Sequence, residues 1–139
     1  PLSDFPFAYT PFWSRDGEKI VFYEIHSSGW YPKIMNKDGS DLKDINLPGI
    51  RGASWSHDGK YIAGGWANDV YIYNVETEKS VKLDSLKPKI GVIRSVMWGQ
   101  DDLTLYIVSL VGITKYNIST QEESLIWRSW GNSTNREKN

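Results

Sequence analysis

The chain has 139 residues, 16 of them Lys or Arg and 17 Asp or Glu, and it contains no Cys. This near-balance gives no electrostatic reason to expect a nucleic-acid groove or an anionic membrane partner, and the missing thiols exclude disulfides, thiolate zinc sites and a cysteine nucleophile. Apolar residues make up 40% of the chain, with no run near the ~20 needed to insert in a bilayer as a helix.

The length predicts one domain able to bury about two-thirds of its unfolded surface. The first residue is Pro, and no basic and apolar leader follows, so the expectation is part of a longer protein, or a processed form.

A first strand is expected to end at Trp13, where Ser14-Arg15-Asp16-Gly17 makes a tight turn. Gly tolerates positive φ there, and Asp bonds to its own backbone. Lys19 to Ile25 reads as a second strand, and a third ends at Ile34-Met35-Asn36. The polar hairpin Lys37-Asp38-Gly39-Ser40-Asp41 then leads into a fourth strand near Leu42 to Leu47.

The same order returns. Trp55-Ser56-His57-Asp58-Gly59 opens a strand at Tyr61 to Gly65, followed by Tyr71-Ile72-Tyr73-Asn74, the turn Glu76-Thr77-Glu78-Lys79, and Ser80 to Leu83. A third pass runs through Trp98-Gly99-Gln100-Asp101-Asp102, Thr104 to Leu110, Lys115-Tyr116-Asn117, and Ser124 to Arg128. The three Trp are 42 and 43 residues apart, and Asn36, Asn74 and Asn117 keep step with them. Four short strands per unit of this length is the signature of a propeller blade. β-branched and aromatic enrichment favours strand, and no stretch sustains a helical apolar stripe. The expected fold is therefore all-β, a β-propeller segment of three consecutive four-stranded antiparallel blades in an incomplete ring. The units run approximately over residues 4–47, 48–86 and 87–130, with a polar tail at 131–139.

Trp13-Ser14-x-Asp16-Gly17 and Trp55-Ser56-x-Asp58-Gly59 resemble the WD-repeat-like blades of TolB-type β-propellers, a pattern seen also in the propeller domains of prolyl-oligopeptidase-like enzymes. The third unit departs from it, with Gly99 in place of Ser and Asp102 in place of the turn Gly, and Arg15, His57 and Gln100 stand where the family usually has Pro. The resemblance implies a non-catalytic interaction scaffold with a protein partner, or a propeller that gates access to a hydrolase domain carried elsewhere. It also leans toward a periplasmic or extracytoplasmic location. Closed propellers have about four to eight blades, so three leave two uncovered faces, each costing on the order of 10 kcal/mol in wetted apolar surface. Further blades in the same polypeptide, or self-association, are expected to cover them.

Residues for chemistry are sparse. No G-x-S-x-G elbow occurs. His26 and His57 sit in different units and read as ordinary loop residues, too scattered for a metal site. Asn36-x-Asp38-Gly39-Ser40-Asp41 lacks the register and closing Glu of a calcium loop. Asp16 and Asp58 read as turn builders, and Gly64-Gly65 falls inside a strand rather than before a helix. No cofactor, metal or catalytic residue is expected.

Aromatics are the surplus, with seven Trp, eight Tyr and four Phe. Trp13, Trp55 and Trp98 recur with the repeat and are expected as wedges between neighbouring sheets. Off the repeat stand Trp30 and Tyr31 in the second-to-third strand connection of unit one, Trp66 in that of unit two, and Phe5, Phe7 and Tyr9 before the first Trp. In a propeller these places open on one end. Trp30, Tyr31 and Trp66 are therefore the candidate contacts for a protein partner or, as a third option, a sugar ring; capping the blades is the structural alternative.

Overall fold

Short runs of β-branched and aromatic residues, each bounded by Gly, Asp, Asn or Ser, dictate strands whose side chains point in turn to opposite faces. The computed structural model describes residues 7–48, 51–84, 86 and 91–129, and every regular element among them is a strand. Phe5 and the tail 131–139 fall outside these residues. The first sheet holds β1 (Phe7–Trp13), β2 (Lys19–His26), β3 (Gly29–Asn36) and β4 (Lys43–Asp44). The second holds β5 (Arg51–Trp55), β6 (Tyr61–Trp66), β7 (Asp69–Asn74) and β8 (Lys79–Lys82). The third holds β9 (Ile93–Trp98), β10 (Thr104–Ser109), β11 (Gly112–Asn117) and β12 (Glu123–Arg128). Within each sheet the strands pair antiparallel in chain order, so each is a four-stranded meander.

The Ser-x-Asp-Gly turns owe their shape to a small hydrogen-bond net. Ser14 Oγ donates to Asp16 at 2.6 Å and accepts from Lys19 N at 2.8 Å, while Asp16 accepts from Glu18 N at 3.0 Å. Ser56 and Asp58 repeat it, with Ser56 Oγ to Asp58 at 2.7 Å and Tyr61 N to Ser56 Oγ at 2.9 Å. Third-sheet chemistry differs. Asp101 accepts from Thr104 N at 2.8 Å and Thr104 Oγ1 at 2.7 Å, so a hydroxyl from the far side of the turn stands in for the absent Ser. Asp102 takes the positive φ, 52°, that Gly17 and Gly59 take in the other turns. Its carboxylate reaches across to the second sheet's turn and accepts from His57 N and, at 3.0 Å, from Asp58 N. The departure from the repeat is thus a tie between neighbours.

The landmark Asn74 and Asn117 end β7 and β11 because their side chains build the following turn, whereas Asn36, at the end of β3, accepts from Lys19 Nζ and donates to Ser40 Oγ. Asn74 Oδ1 accepts from Glu76 N and Thr77 N at 2.9 and 3.0 Å, and Asn117 Oδ1 likewise from Ser119 N and Thr120 N. Only Lys43 and Asp44 of the expected Leu42–Leu47 strand join the ladder. Pro32 in β3 accepts from Ile45 N at 3.0 Å but has no N–H to return, so pairing stops there. Ile45 and Leu47 turn inward instead.

Two apolar layers result. Val21, Tyr23, Ile34, Ile45 and Leu47 meet Ala53, Trp55, Ile62 and Tyr73 between the first and second sheets. Ala63 and Val70 meet Ile93, Val96, Leu105, Ile107 and Tyr116 between the second and third. Ile62 and Ala63, neighbours in β6, go to opposite layers, as the pleat requires. The second layer is closest at Gly65, where any Cβ would collide with Ile93.

The wedge Trp residues cross these layers toward the preceding sheet. Trp55 Nε1 donates to Phe12 O at 3.3 Å, and Trp98 stacks on Tyr61 at 6.1 Å while its backbone N donates to Ser54 Oγ at 2.9 Å. Trp13 corrects the expectation of three core wedges: it is 57% exposed, against 8% for Trp55. Its side chain points to a side where no sheet of the described residues lies.

Candidate functional site

One end of the three sheets carries the β2–β3, β6–β7 and β10–β11 turns, and the off-repeat aromatics gather there. Their placement corrects the sequence expectation. Trp30 and Tyr31 lie in β3 rather than in a loop, and Trp66 ends β6. His26, expected in a loop, ends β2. The extra residues of unit one lengthen the hairpin because they continue the ladder down to a two-residue turn, Ser27-Ser28. β2 and β3 pair over eight rungs, from Lys19↔Asn36 to His26↔Gly29, whereas β6 and β7 pair over six. Trp30 occupies one of the added rungs, opposite Ile25.

Register then assigns faces. Val21 and Tyr23 are buried against the second sheet. Tyr9 pairs with Tyr23, and Trp30 pairs with Ile25 two residues beyond it, so Tyr9 and Trp30 share that face. The Trp30 ring meets Tyr9 and Tyr23 edge-on, each at 6.1 Å. Trp66 follows Ile62 and Gly64 in the pleat of β6 and so faces the first sheet. By register Trp30 and Trp66, 41% and 46% exposed, thus lie on the sides of the first and second sheets that face each other at the hairpin end, with no ring contact between them.

Tyr23 is the least comfortable member of this cluster. Its hydroxyl is buried without a hydrogen-bond partner, and burial pushes its pKa well above the ordinary tyrosine value. Nearby, between the second and third sheets, a cleft of about 230 Å³ is lined by Gly65, Trp66, Ala67, Val92 and Ile93.

Tyr31 goes the other way. It pairs with Glu24 and so points to the free face of the first sheet. There it lines a hollow of about 280 Å³ with Glu24, His26, Ser28, Lys33 and Asp44. Lys33 Nζ bridges Asp44 at 2.7 Å and Glu24 at 2.9 Å. Those carboxylates raise the Lys33 pKa, with Asp44 the larger cause, and Lys33 in turn lowers that of Glu24. His26 stacks edge-on against Tyr31 at 5.2 Å, with Nε2 at 3.4 Å from Glu24. The fold brings together Trp30, Tyr9 and Tyr23, sets Trp66 beside Val92 and Ile93 at the neighbouring cleft, and separates Tyr31 from Trp30 by the thickness of a sheet.

Among the described residues no group of three or more His, Cys, Asp or Glu is placed to hold a metal ion, and no helix is long and apolar enough to cross a membrane.

The fold has clear relatives. TolB from Acinetobacter baumannii superposes with a TM-score of 0.68 at 16% identity, over 86% of this chain and 32% of that one. The β-propeller domain of the Trilobed protease from Pyrococcus furiosus gives 0.65 at 21% identity, over 87% and 42%. Hydrazine synthase from Kuenenia stuttgartiensis gives 0.67 at 14%, over 88% and 36%. These likenesses, with the sheet order, define the class: three consecutive TolB-like β-propeller blades that do not close a ring. In sequence, the chain is 30% identical over 102 residues to a subunit of eukaryotic translation initiation factor 3 from Culex quinquefasciatus, covering 73% of this chain and 13% of that protein. No protein-family model matches. The chain thus spans less than half the length of each of these proteins.

Proposed function

We propose that this chain is a non-catalytic propeller scaffold that takes a protein partner at the hairpin end, through Trp30 and Trp66 with Tyr9 in support. The observation that carries this is the added pair of rungs in the first hairpin, which sets Trp30 at the hairpin end, half exposed and braced edge-on against two tyrosines. A rigid, half-exposed aromatic on a braced strand gives contact area at little entropic cost, which is what binding anchors supply. The sequence relative in a translation initiation factor is, by its name, one component of a larger assembly, a role that suits a scaffold rather than a lone enzyme.

Replacing Trp30 and Trp66 together by Ala tests it. The double variant is expected to keep its circular dichroism spectrum and to lose, at least about tenfold, the partner that wild-type chain retains by quantitative affinity capture. Unchanged retention in a folded variant overturns the reading, and loss of glycan-array binding in place of protein binding moves it to the carbohydrate option.

A second reading, the gating propeller of a serine hydrolase, draws on the likeness to the protease propeller. TolB and hydrazine synthase match equally well, so the fold alone does not favour it. Labelling of the full-length natural protein by a serine-directed fluorophosphonate probe would establish that reading.

A further inference from the structure

The β1–β2, β5–β6 and β9–β10 turns lie at the end of the sheets opposite the hairpins that carry Trp30 and Trp66, and one of them shows how this chain holds a carboxylate. In the second sheet's turn the amides of His57 and Asp58 both donate to the Asp102 carboxylate of the third sheet, the Asp58 bond at 3.0 Å. Two adjacent amides on one carboxylate make charge-assisted bonds, each stronger than a bond between neutral groups. The first turn is built the same way. Ser14, Asp16 and Lys19 repeat the hydrogen-bond net of Ser56, Asp58 and Tyr61, and Gly17 N closes on Ser14 O at 2.9 Å as Gly59 N closes on Ser56 O at 3.2 Å. Its corresponding amides belong to Arg15 and Asp16, both exposed. They meet no acceptor from another residue among the described residues.

One residue makes the difference. Gly59 holds in the second turn the place that Asp102 holds in the third, both at positive φ, 73° and 52°. Gly59 therefore brings no carboxylate to the first turn, and a Cβ on it would meet nothing within 4 Å. By the repeat this opening lies between the first and second sheets rather than on an outer sheet face. Its charges differ as well. Arg15 stands at the His57 position, and Lys60 follows Gly59 where Leu103 follows Asp102. Glu18 is already paired with Lys37 at 2.7 Å. The Asp16 carboxylate is no bar to an anion here, since Asp58 holds the same position in the turn that receives Asp102.

We propose that the Arg15 and Asp16 amides form a receptor for an acidic side chain of a protein partner, bound as Asp102 is bound in the second turn, with Arg15 and Lys60 supplying the attracting charge. A carboxylate is selected because it is what this chain itself sets on the equivalent pair of amides. Arg15 also stands where the blade family usually has Pro. A Pro has no N–H and would remove one of the two donors, whereas Arg15 supplies that donor and a cation. This proposal is independent of the partner reading above, which uses the opposite end of the sheets.

Titrating a capped Gly-Asp-Gly peptide into the isotope-labelled chain and following its amide resonances tests this, with capped Gly-Asn-Gly as the control. The Arg15 and Asp16 amides should shift saturably with the Asp peptide and stay still with the Asn peptide, while the His57 and Asp58 amides, already occupied, stay still with both. Gly59→Asp should supply the carboxylate from within, as Asp102 does, and weaken the response at least about tenfold. Asp102→Gly places there the residue that the other two turns carry, and it should open the second turn, so that His57 and Asp58 respond as well. Arg15→Pro should abolish the response, and it serves if Gly59→Asp fails to fold, because Pro suits the second position of such a turn. Arg15 and Asp16 amides unmoved by the Asp peptide, equal shifts with the Asn peptide, or a folded Gly59→Asp chain that responds like wild type would each overturn the proposal. A response to inorganic phosphate without one to the Asp peptide would overturn it too, since the site would then select a different anion.

Discussion

Trp55 and Trp13 hold the same place in the repeat, each ending the innermost strand of its sheet one residue before a Ser-x-Asp-Gly turn. Trp55 is buried and hydrogen-bonded to the sheet before it, while Trp13 stands in water. Nothing in the local sequence distinguishes them, since both turns make the same hydrogen bonds. The difference lies entirely in what is stacked alongside. A propeller blade therefore folds its own turns and ladder from local sequence, but its wedge is worth something only when a neighbour is present, as in other stacked repeats.

The contrast predicts the largest effect. Trp55→Ala should cost about 3–5 kcal/mol, because it empties a closed layer between two sheets. Trp13→Ala, read at concentrations where the chain is monomeric, should cost under about 1 kcal/mol, as exposed substitutions do. Urea unfolding of both variants checks the pair. Equal losses would mean that Trp13 is covered in solution.

The two inner layers also differ from each other. Tyr23 fills its position against the second sheet, whereas the repeat-equivalent residue of the second sheet is Gly65, and Ile93 of the third moves into the space. Gly65→Ala should therefore destabilise by about 1–3 kcal/mol through overpacking. Ile93→Ala removes the Cγ2 that such a Cβ would strike, so Gly65→Ala should cost less in an Ile93→Ala background than in the wild type, a coupling that a thermal-melt double-mutant cycle would detect.

Turns give the next, smaller difference. Ser56 is buried, and its hydroxyl pairs both the Tyr61 N–H and the Asp58 carboxylate. Ser56→Ala leaves that N–H short of a partner and should cost about 1–2 kcal/mol. Restoring the repeat in the third turn by Gly99→Ser is expected to give no gain. A Cβ at Gly99 would lie 3.1 Å from both Thr104 Cβ and Asp101 Oδ1, and Thr104 already supplies the hydroxyl. A rise in melting temperature for Gly99→Ser would show that the third turn is a degraded copy rather than a different solution.

Much of this architecture was legible in the chain. Trp13, Trp55 and Trp98 set the period, Asn36, Asn74 and Asn117 close their strands, and Asp16-Gly17 and Asp58-Gly59 make their turns, because each depends only on residues a few positions away. The longer first hairpin had a signal too: Trp13 and Asn36 are 23 residues apart, against 19 for Trp55 and Asn74. Reading those added residues as loop missed that strands continue wherever the ladder can. The separation of Trp30 from Tyr31 follows from the pleat once both are in β3, but not before. The reach of Asp102 to the His57 and Asp58 amides was not legible, for it depends on how two sheets stack, and the short β4 turned on the register of Pro32.

The same turns set a pH dependence. Asp16 is held below its ordinary pKa of 3.8 by hydrogen bonds from the Ser14 hydroxyl first and the Glu18 amide second. Asp101 is held below it by the Thr104 hydroxyl first, then the Leu103 and Thr104 amides. Asp58 is also lowered, its partial burial working against the Lys60 amide and Ser56 hydroxyl that favour the carboxylate. Because the folded values lie below the unfolded ones, this stabilisation is fully present above the unfolded pKa and is lost as the pH falls through the folded values. The melting temperature should hold from neutrality into the mildly acidic range and fall as the pH passes below the ordinary Glu value, through Glu24, and then the ordinary Asp value. Asp101→Asn should flatten that acid limb while leaving the Ser14 and Ser56 turns unchanged, and an acid limb identical to wild type would mean that the third turn stands without its carboxylate.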